Sequence, residues 1–177
     1  MTRTPFTRIL GLRILGPAIA VLLTAAPFAA AQQAVIVVRH AEKADQTPDT
    51  ALSPKGRARA KALAELLRGA GVTHIITSEF LRSRETAAPL AKALGLTPEQ
   101  VSARDLPALV ARLHALDPAS IVVVVGHSNT IPPMLSVLGW PNTLDLHDGD
   151  YDDVFVLAPH PGERASMVRL KYGQPSS

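Results

Sequence analysis

The chain contains no cysteine. That excludes disulfides and a lipid-modified N-terminal cysteine, so stability has to come from a packed core. It also lacks net charge where a folded domain is expected. Of its 18 Lys and Arg, Arg3, Arg8 and Arg13 stand before Ile14, and the other 15 match 15 Asp and Glu. A domain that is formally neutral has no basic footprint for nucleic acid. No internal repeat or linker-like segment divides the chain. No cluster of side chains at metal-ligand spacing is visible, so no metal or other cofactor is expected.

What is present begins with a leader. Met1 to Ala31 carries the three arginines, no acid, and an apolar run from Ile14, ending in the small residues Ala29-Ala30-Ala31. This is the pattern of a secretory signal cleaved after Ala31, with periplasmic or secreted location and no stable membrane association afterwards. The alternative is an uncleaved anchor, because Ile14 to Ala31 approaches the length of a span, although Pro17 and Pro27 interrupt it. The remaining about 146 residues suffice for a single domain over residues 32–172. Residues 173–177, Gly-Gln-Pro-Ser-Ser, have the composition of a disordered end.

Along that domain, apolar runs alternate with helical periodicity. Ala34 to Val38 reads as a first strand. Ser53 then caps a helix with Pro54 at its first position and Ala60, Leu63, Ala64 and Leu67 on one face. Val72 to Thr77 reads as a second strand, and Arg82 to Leu94 as a helix stopped by Gly95. Helices are expected over Pro107 to Leu116 and Pro132 to Leu138, and strands over Ile121 to Val125, Val154 to Ala158 and Met167 to Lys171. Such alternation specifies a three-layer α/β/α fold with a mainly parallel sheet.

Chemistry concentrates where these strands end. Arg39-His40 follows the first run, within Val37-Val38-Arg39-His40-Ala41-Glu42-Lys43, and Gly126-His127-Ser128-Asn129 follows the run Ile121 to Val125. In open α/β sheets the carboxyl ends of strands are where ligands bind, so a histidine and a fixed cation delivered there point to an anion. Between them lies Thr77-Ser78-Glu79-Phe80-Leu81-Arg82-Ser83-Arg84-Glu85-Thr86-Ala87. Together, and in this order, the motifs resemble the histidine phosphatase superfamily, branch 1, also called phosphoglycerate mutase-like, over nearly the whole domain. The Arg-His-Ala-Glu-Lys run is similar to that of an exported bacterial subset.

The resemblance implies phosphomonoester hydrolysis, without metal, through a phosphohistidine on His40. Ala41 stands where the family more often has glycine, which limits backbone freedom. Arg39 and Arg82 are implied to clamp the phosphoryl oxygens through planar, permanently charged donors. Arg82 is preferred to Arg84 because Ser78, Arg82 and Thr86 match the family spacing. Arg84, about 200° round the helix, belongs to another face. The N-terminus of the Arg82 helix is expected to face the anion. His127 is implied to donate a hydrogen bond to a phosphoryl oxygen. Ser128 stands where some relatives carry the general acid, so Asp105 becomes the candidate by position, with a helix-capping role equally consistent. Glu42 is a further candidate for orienting a catalytic group or substrate hydroxyl, or for an exposed ion pair.

Other readings remain open. Gly126-His127-Ser128-Asn129-Thr130 has part of the G-x-S-x-G pattern of a serine esterase, with Asp145 and His147 or His160 as partners, but Thr130 replaces the last glycine. Asp148 to Asp153 has a partial calcium-loop pattern, yet Asp153 stands at the glycine position, and a solvated turn is expected instead. A non-catalytic phosphate- or partner-binding module on the same fold is the remaining alternative. The partner expected is a small phosphorylated substrate. Phosphoglycerate mutase activity is disfavoured by the short chain and the leader.

Overall fold

The computed structural model describes residues 34–160 and 163–176. The leader and its cleavage site lie outside the described residues.

A six-stranded sheet has the order β3-β2-β4-β1-β5-β6. At its centre lie β1 (Ala34–Arg39) and β4 (Ile121–Gly126), whose uninterrupted apolar runs are buried on both faces. They pair in parallel with each other. Outward on one side follow β2 (His74–Thr77) and the two-residue β3 (Glu99–Gln100), both parallel; on the other follow β5 (Asp153–Ala158) and β6 (Ser166–Lys171), both antiparallel. The expected mainly parallel α/β sheet is therefore present. β3 is too short for any periodicity, which is why the sequence did not announce it.

Side-chain alternation divides the core. Val35, Val37, Val122 and Val124 pack with α3 (Leu106–His114) and α4 (Ile131–Val137). Ile36, Val38, Val123 and Val125 pack on the opposite face with α1 (Pro54–Leu67) and α2 (Leu81–Leu94). The caps follow local chemistry. Ser53 accepts a hydrogen bond from Gly56 N–H at 3.0 Å, and Gly95 closes α2 with φ 67°. Gly56 is required for packing, because a Cβ there would lie 2.3 Å from the carbonyl oxygen of Glu42.

One register decides the site. Arg39 lies opposite Gly126, and His40 N–H donates to the Gly126 carbonyl at 3.0 Å, so the residues leaving β1 and β4 emerge side by side.

The chain end departs from its composition. Arg59 donates to the carbonyls of Tyr172 at 3.0 Å and Gln174 at 2.9 Å, and Ser176 N–H donates to Asp152 at 3.0 Å. Residues 173–176 are thus tied to the domain, because buried Arg59 and Asp152 use that backbone as their partner. The acidic stretch before β5 also differs from a plain solvated turn. Asp148 is exposed, but Asp152 and Asp153 are buried and paired with Lys171, Asp153 also accepting both Arg169 donors.

Candidate active site

Register places His40 and His127 with ring centroids 5.1 Å apart. Both are buried. His40 Nδ1 lies 2.8 Å from the Ala41 carbonyl, which only accepts, so Nδ1 carries the proton and Nε2 keeps its lone pair. Burial pushes the His40 pKa down to about 3; the Ala41 hydrogen bond opposes this, and the charges of His127, Arg39 and Arg82 add to it. His127 is likewise lowered to about 4, by burial and Arg82, against the pull of Glu79. Both imidazoles are neutral at neutral pH.

The Ser78, Arg82, Thr86 spacing has a structural reason. Ser78 precedes α2 and lies 2.9 Å from His127 Nε2. Thr86, one turn beyond Arg82, accepts from Ala41 N–H at 2.9 Å and donates to the Arg82 carbonyl at 2.7 Å. Ser78 and Thr86 thus tie the start and the second turn of α2 to the two histidine loops. Ala41 adopts no positive φ, so the backbone tolerates the missing glycine.

Arg39 and Arg82 flank the pair and are themselves held. Arg39 Nη1 donates to the carbonyls of His147 at 2.8 Å and Asp148 at 3.0 Å, and its guanidinium lies 4.2 Å from the Tyr151 ring. Arg82 Nη1 donates to the Pro48 carbonyl at 2.8 Å, with its guanidinium 4.2 Å from Phe80. In both, Nε is buried without a hydrogen-bond partner among the described residues. Two orphaned cationic donors beside two neutral imidazoles form an arrangement that an oxyanion would complete. Arg84 donates instead to the Glu79 carbonyl.

The structure bears on four further expectations. The first N–H of α2, expected to face an anion, is taken by the Asp49 carboxylate at 2.6 Å from Leu81 N. Glu42 forms an ion pair that is buried rather than exposed: Arg59, itself 2% exposed, grips it through Nε at 3.0 Å and Nη2 at 2.8 Å. Burial opposes its ionisation, but Arg59 outweighs this and holds the carboxyl below its ordinary range, which makes it a poor proton donor. Asp105 accepts from Ala108 N–H at 2.9 Å as the cap of α3. Ser128 Oγ lies 3.5 Å from Asp148, while His147 and Asp145 form an exposed pair at 3.6 Å, so among the described residues the hydroxyl has no histidine as its hydrogen-bond partner.

Beside His127 opens a cavity of roughly 140 Å³ whose walls include Thr77, Ser78, Asp105, His127 and Asn129. Its remaining lining is largely apolar, from residues such as Leu109 and Met134. Sequence reasoning missed Tyr151, whose ring centroid lies 6.0 Å from that of His40, and Glu79, whose carboxylate accepts from Ala103 N–H at 2.8 Å. Neither position carries a signal in one sequence, since each acts through tertiary neighbours. Among the described residues there is no group of three or more metal-ligand side chains, and no helix long and apolar enough to cross a membrane.

The sheet, the paired histidines and the flanking arginines define an α/β chain with two imidazoles and two guanidinium groups gathered at the strand ends. Residues 35–104 match the model of the histidine phosphatase superfamily (branch 1), which bears out the resemblance drawn from the motifs. The fold is shared with the native mycobacterial glucosyl-3-phosphoglycerate phosphatase, at TM-score 0.65 and 19% identity, covering 80% of this chain and 99% of that one. It is equally shared with the protein histidine phosphatase SixA, solved with tungstate, at TM-score 0.63 and 18% identity, covering 78% and 96%. The mycobacterial enzyme has also been solved with inorganic phosphate, at TM-score 0.59 and 19% identity, covering 76% and 95%. No curated protein matches the chain in sequence.

Proposed function

We propose that the protein hydrolyses phosphate monoesters, without a metal, through a phosphohistidine on His40. The observation that carries this is the His40 ring: its Nδ1–H is fixed on the Ala41 carbonyl and its pKa lies at about 3, so Nε2 is an available nucleophile at neutral pH. Nε2 would attack phosphorus while the P–O bond to the alcohol breaks, and the alcohol takes up a proton. Water then cleaves the P–N bond, releasing phosphate and restoring neutral His40. Arg39 and Arg82 supply the charge that such a group in transit requires. Binding of tungstate and phosphate by proteins of this fold supports an oxyanion between these residues. The alcohol would occupy the cavity beside His127.

Purified protein should hydrolyse p-nitrophenyl phosphate in EDTA and form an acid-labile, base-stable phosphoryl enzyme, both abolished in His40→Ala. Activity that requires added zinc or magnesium would overturn the mechanism. Ser128→Ala should keep most activity; its loss there, with retention in His40→Ala, would transfer the reaction to a serine esterase. Phosphate binding without turnover in the wild type would identify a binding module.

We also infer export, from the arginine-led apolar segment and the Ala29-Ala30-Ala31 site. Intact mass of protein recovered outside the cytoplasm should correspond to a chain starting at Gln32. A full-length chain in the membrane fraction would instead establish an anchor.

A further inference from the structure

We infer that Ser78 is a positioning residue that fixes the tautomer of His127, placing the ring proton on Nδ1. The inference follows from counting protons in a sealed chain of three groups. Ser78 Oγ lies 2.9 Å from His127 Nε2 and 2.8 Å from Ser83 Oγ. Ser78 is 5%, Ser83 0% and His127 7% exposed, so water does not complete the chain at its Ser83 end.

Each hydroxyl has one proton, and the hydrogen bonds can run in two directions. If His127 Nε2–H donated to Ser78, Ser78 would donate to Ser83, and the Ser83 proton would have no acceptor. Ser83 makes no other side-chain hydrogen bond among the described residues. A buried hydroxyl left unsatisfied is costly. In the reverse direction Ser83 donates to Ser78 and Ser78 donates to Nε2, so both buried hydroxyl protons have acceptors and the one proton left over belongs to the His127 ring, at an atom that is not among the fully buried ones. Neutral His127 then carries its hydrogen on Nδ1, which has no hydrogen-bond partner among the described residues. The ring is therefore a neutral donor with its proton on the nitrogen left free for a ligand. The opposite tautomer would present a lone pair there and repel an oxyanion. The motif serine thus performs at His127 what the Ala41 carbonyl performs at His40, and the two rings are set to complementary tasks. The catalytic consequence rests on the proposed phosphatase reaction; the tautomer itself does not.

Nitrogen-15 NMR of histidine-labelled protein, without substrate, should show His127 with protonated Nδ1 and a pyridine-type Nε2. In Ser78→Ala the signal should move to the other tautomer or to a mixture, while Ser78→Thr, which keeps the hydroxyl, should restore it. Ser83→Ala should also give a mixture, and serves if Ser78→Ala does not fold. With an alkyl phosphate, kcat of Ser78→Ala should fall roughly fivefold to tenfold, the factor one neutral hydrogen bond supports, and recover in Ser78→Thr. A wild-type His127 protonated on Nε2, or an unchanged signal in Ser78→Ala, overturns the inference. The expected tautomer in a protein that turns over no phosphate ester would leave the inference standing and overturn the phosphatase reading.

Discussion

At the scale of single residues, the decisive fact is that both site histidines are neutral. Their pKa values, about 3 for His40 and about 4 for His127, lie below that of an ordinary imidazole because burial and neighbouring guanidinium groups disfavour the cation. Two pH effects follow. The acid limb of kcat/KM should fall below pH 5 rather than near 6.5; a limb at 6.5 would mean that the nucleophile is solvated. In the window from 6.5 down to about 4 the unfolded chain binds protons that the folded one refuses, so stability rises with pH there and is lost on acidification. Each histidine contributes about 1.4 kcal/mol per pH unit, and urea midpoints of His40→Gln should show a shallower slope than wild type. A slope equal to that of wild type would contradict the assigned burial. Asp105 carries the riskier expectation. It shares a cavity with His127 yet caps α3. If it also protonates the leaving group, Asp105→Asn should slow an alkyl phosphate on the order of 10² more than p-nitrophenyl phosphate. Equal small losses would leave it as a cap alone.

At the scale of elements, the loop after β1 is held by α1 as well as α2. Arg59 of α1 grips Glu42, two residues beyond His40, while Gly56 admits the Glu42 carbonyl against the helix. Replacing Arg59 with Met leaves that carboxylate buried with only the partly exposed Lys55, 3.7 Å away, as a charged partner, and urea denaturation should show a loss of about 3 kcal/mol. Adding Glu42→Gln should recover part of it. A single-variant loss below about 1 kcal/mol would show that the pair is effectively solvated. The α1 start and the α2 stop were legible because caps are local, whereas the Ser78, Arg82, Thr86 register came from the family likeness. The Glu42 to Arg59 pair was not legible, since 17 residues and a change of direction separate its members.

At the scale of the molecule, the chain end closes onto the same buried arginine. Deleting residues 173–177 should destabilise the protein by about 1 to 3 kcal/mol, as Arg59 and Asp152 lose backbone partners; no change in thermal midpoint would restore the disordered reading. More generally, the sequence alone determined what depends on neighbours in the chain: two apolar runs that become central strands, the periodic helices, and the histidines at the strand ends, while family likeness singled out Arg39, His40, Arg82 and His127 together as the candidate site. Their proximity was implied by family likeness, not by spacing. Only the tertiary structure decided that Arg39 faces Gly126 across the sheet, which brings the two histidines together. It also decided which carboxylates are engaged, with Glu42 held by Arg59 and Asp49 at the start of α2. The physical reason is that an ion pair, a proton chain or a desolvated imidazole depends on what surrounds a group in space, and that environment comes from segments far apart in the chain.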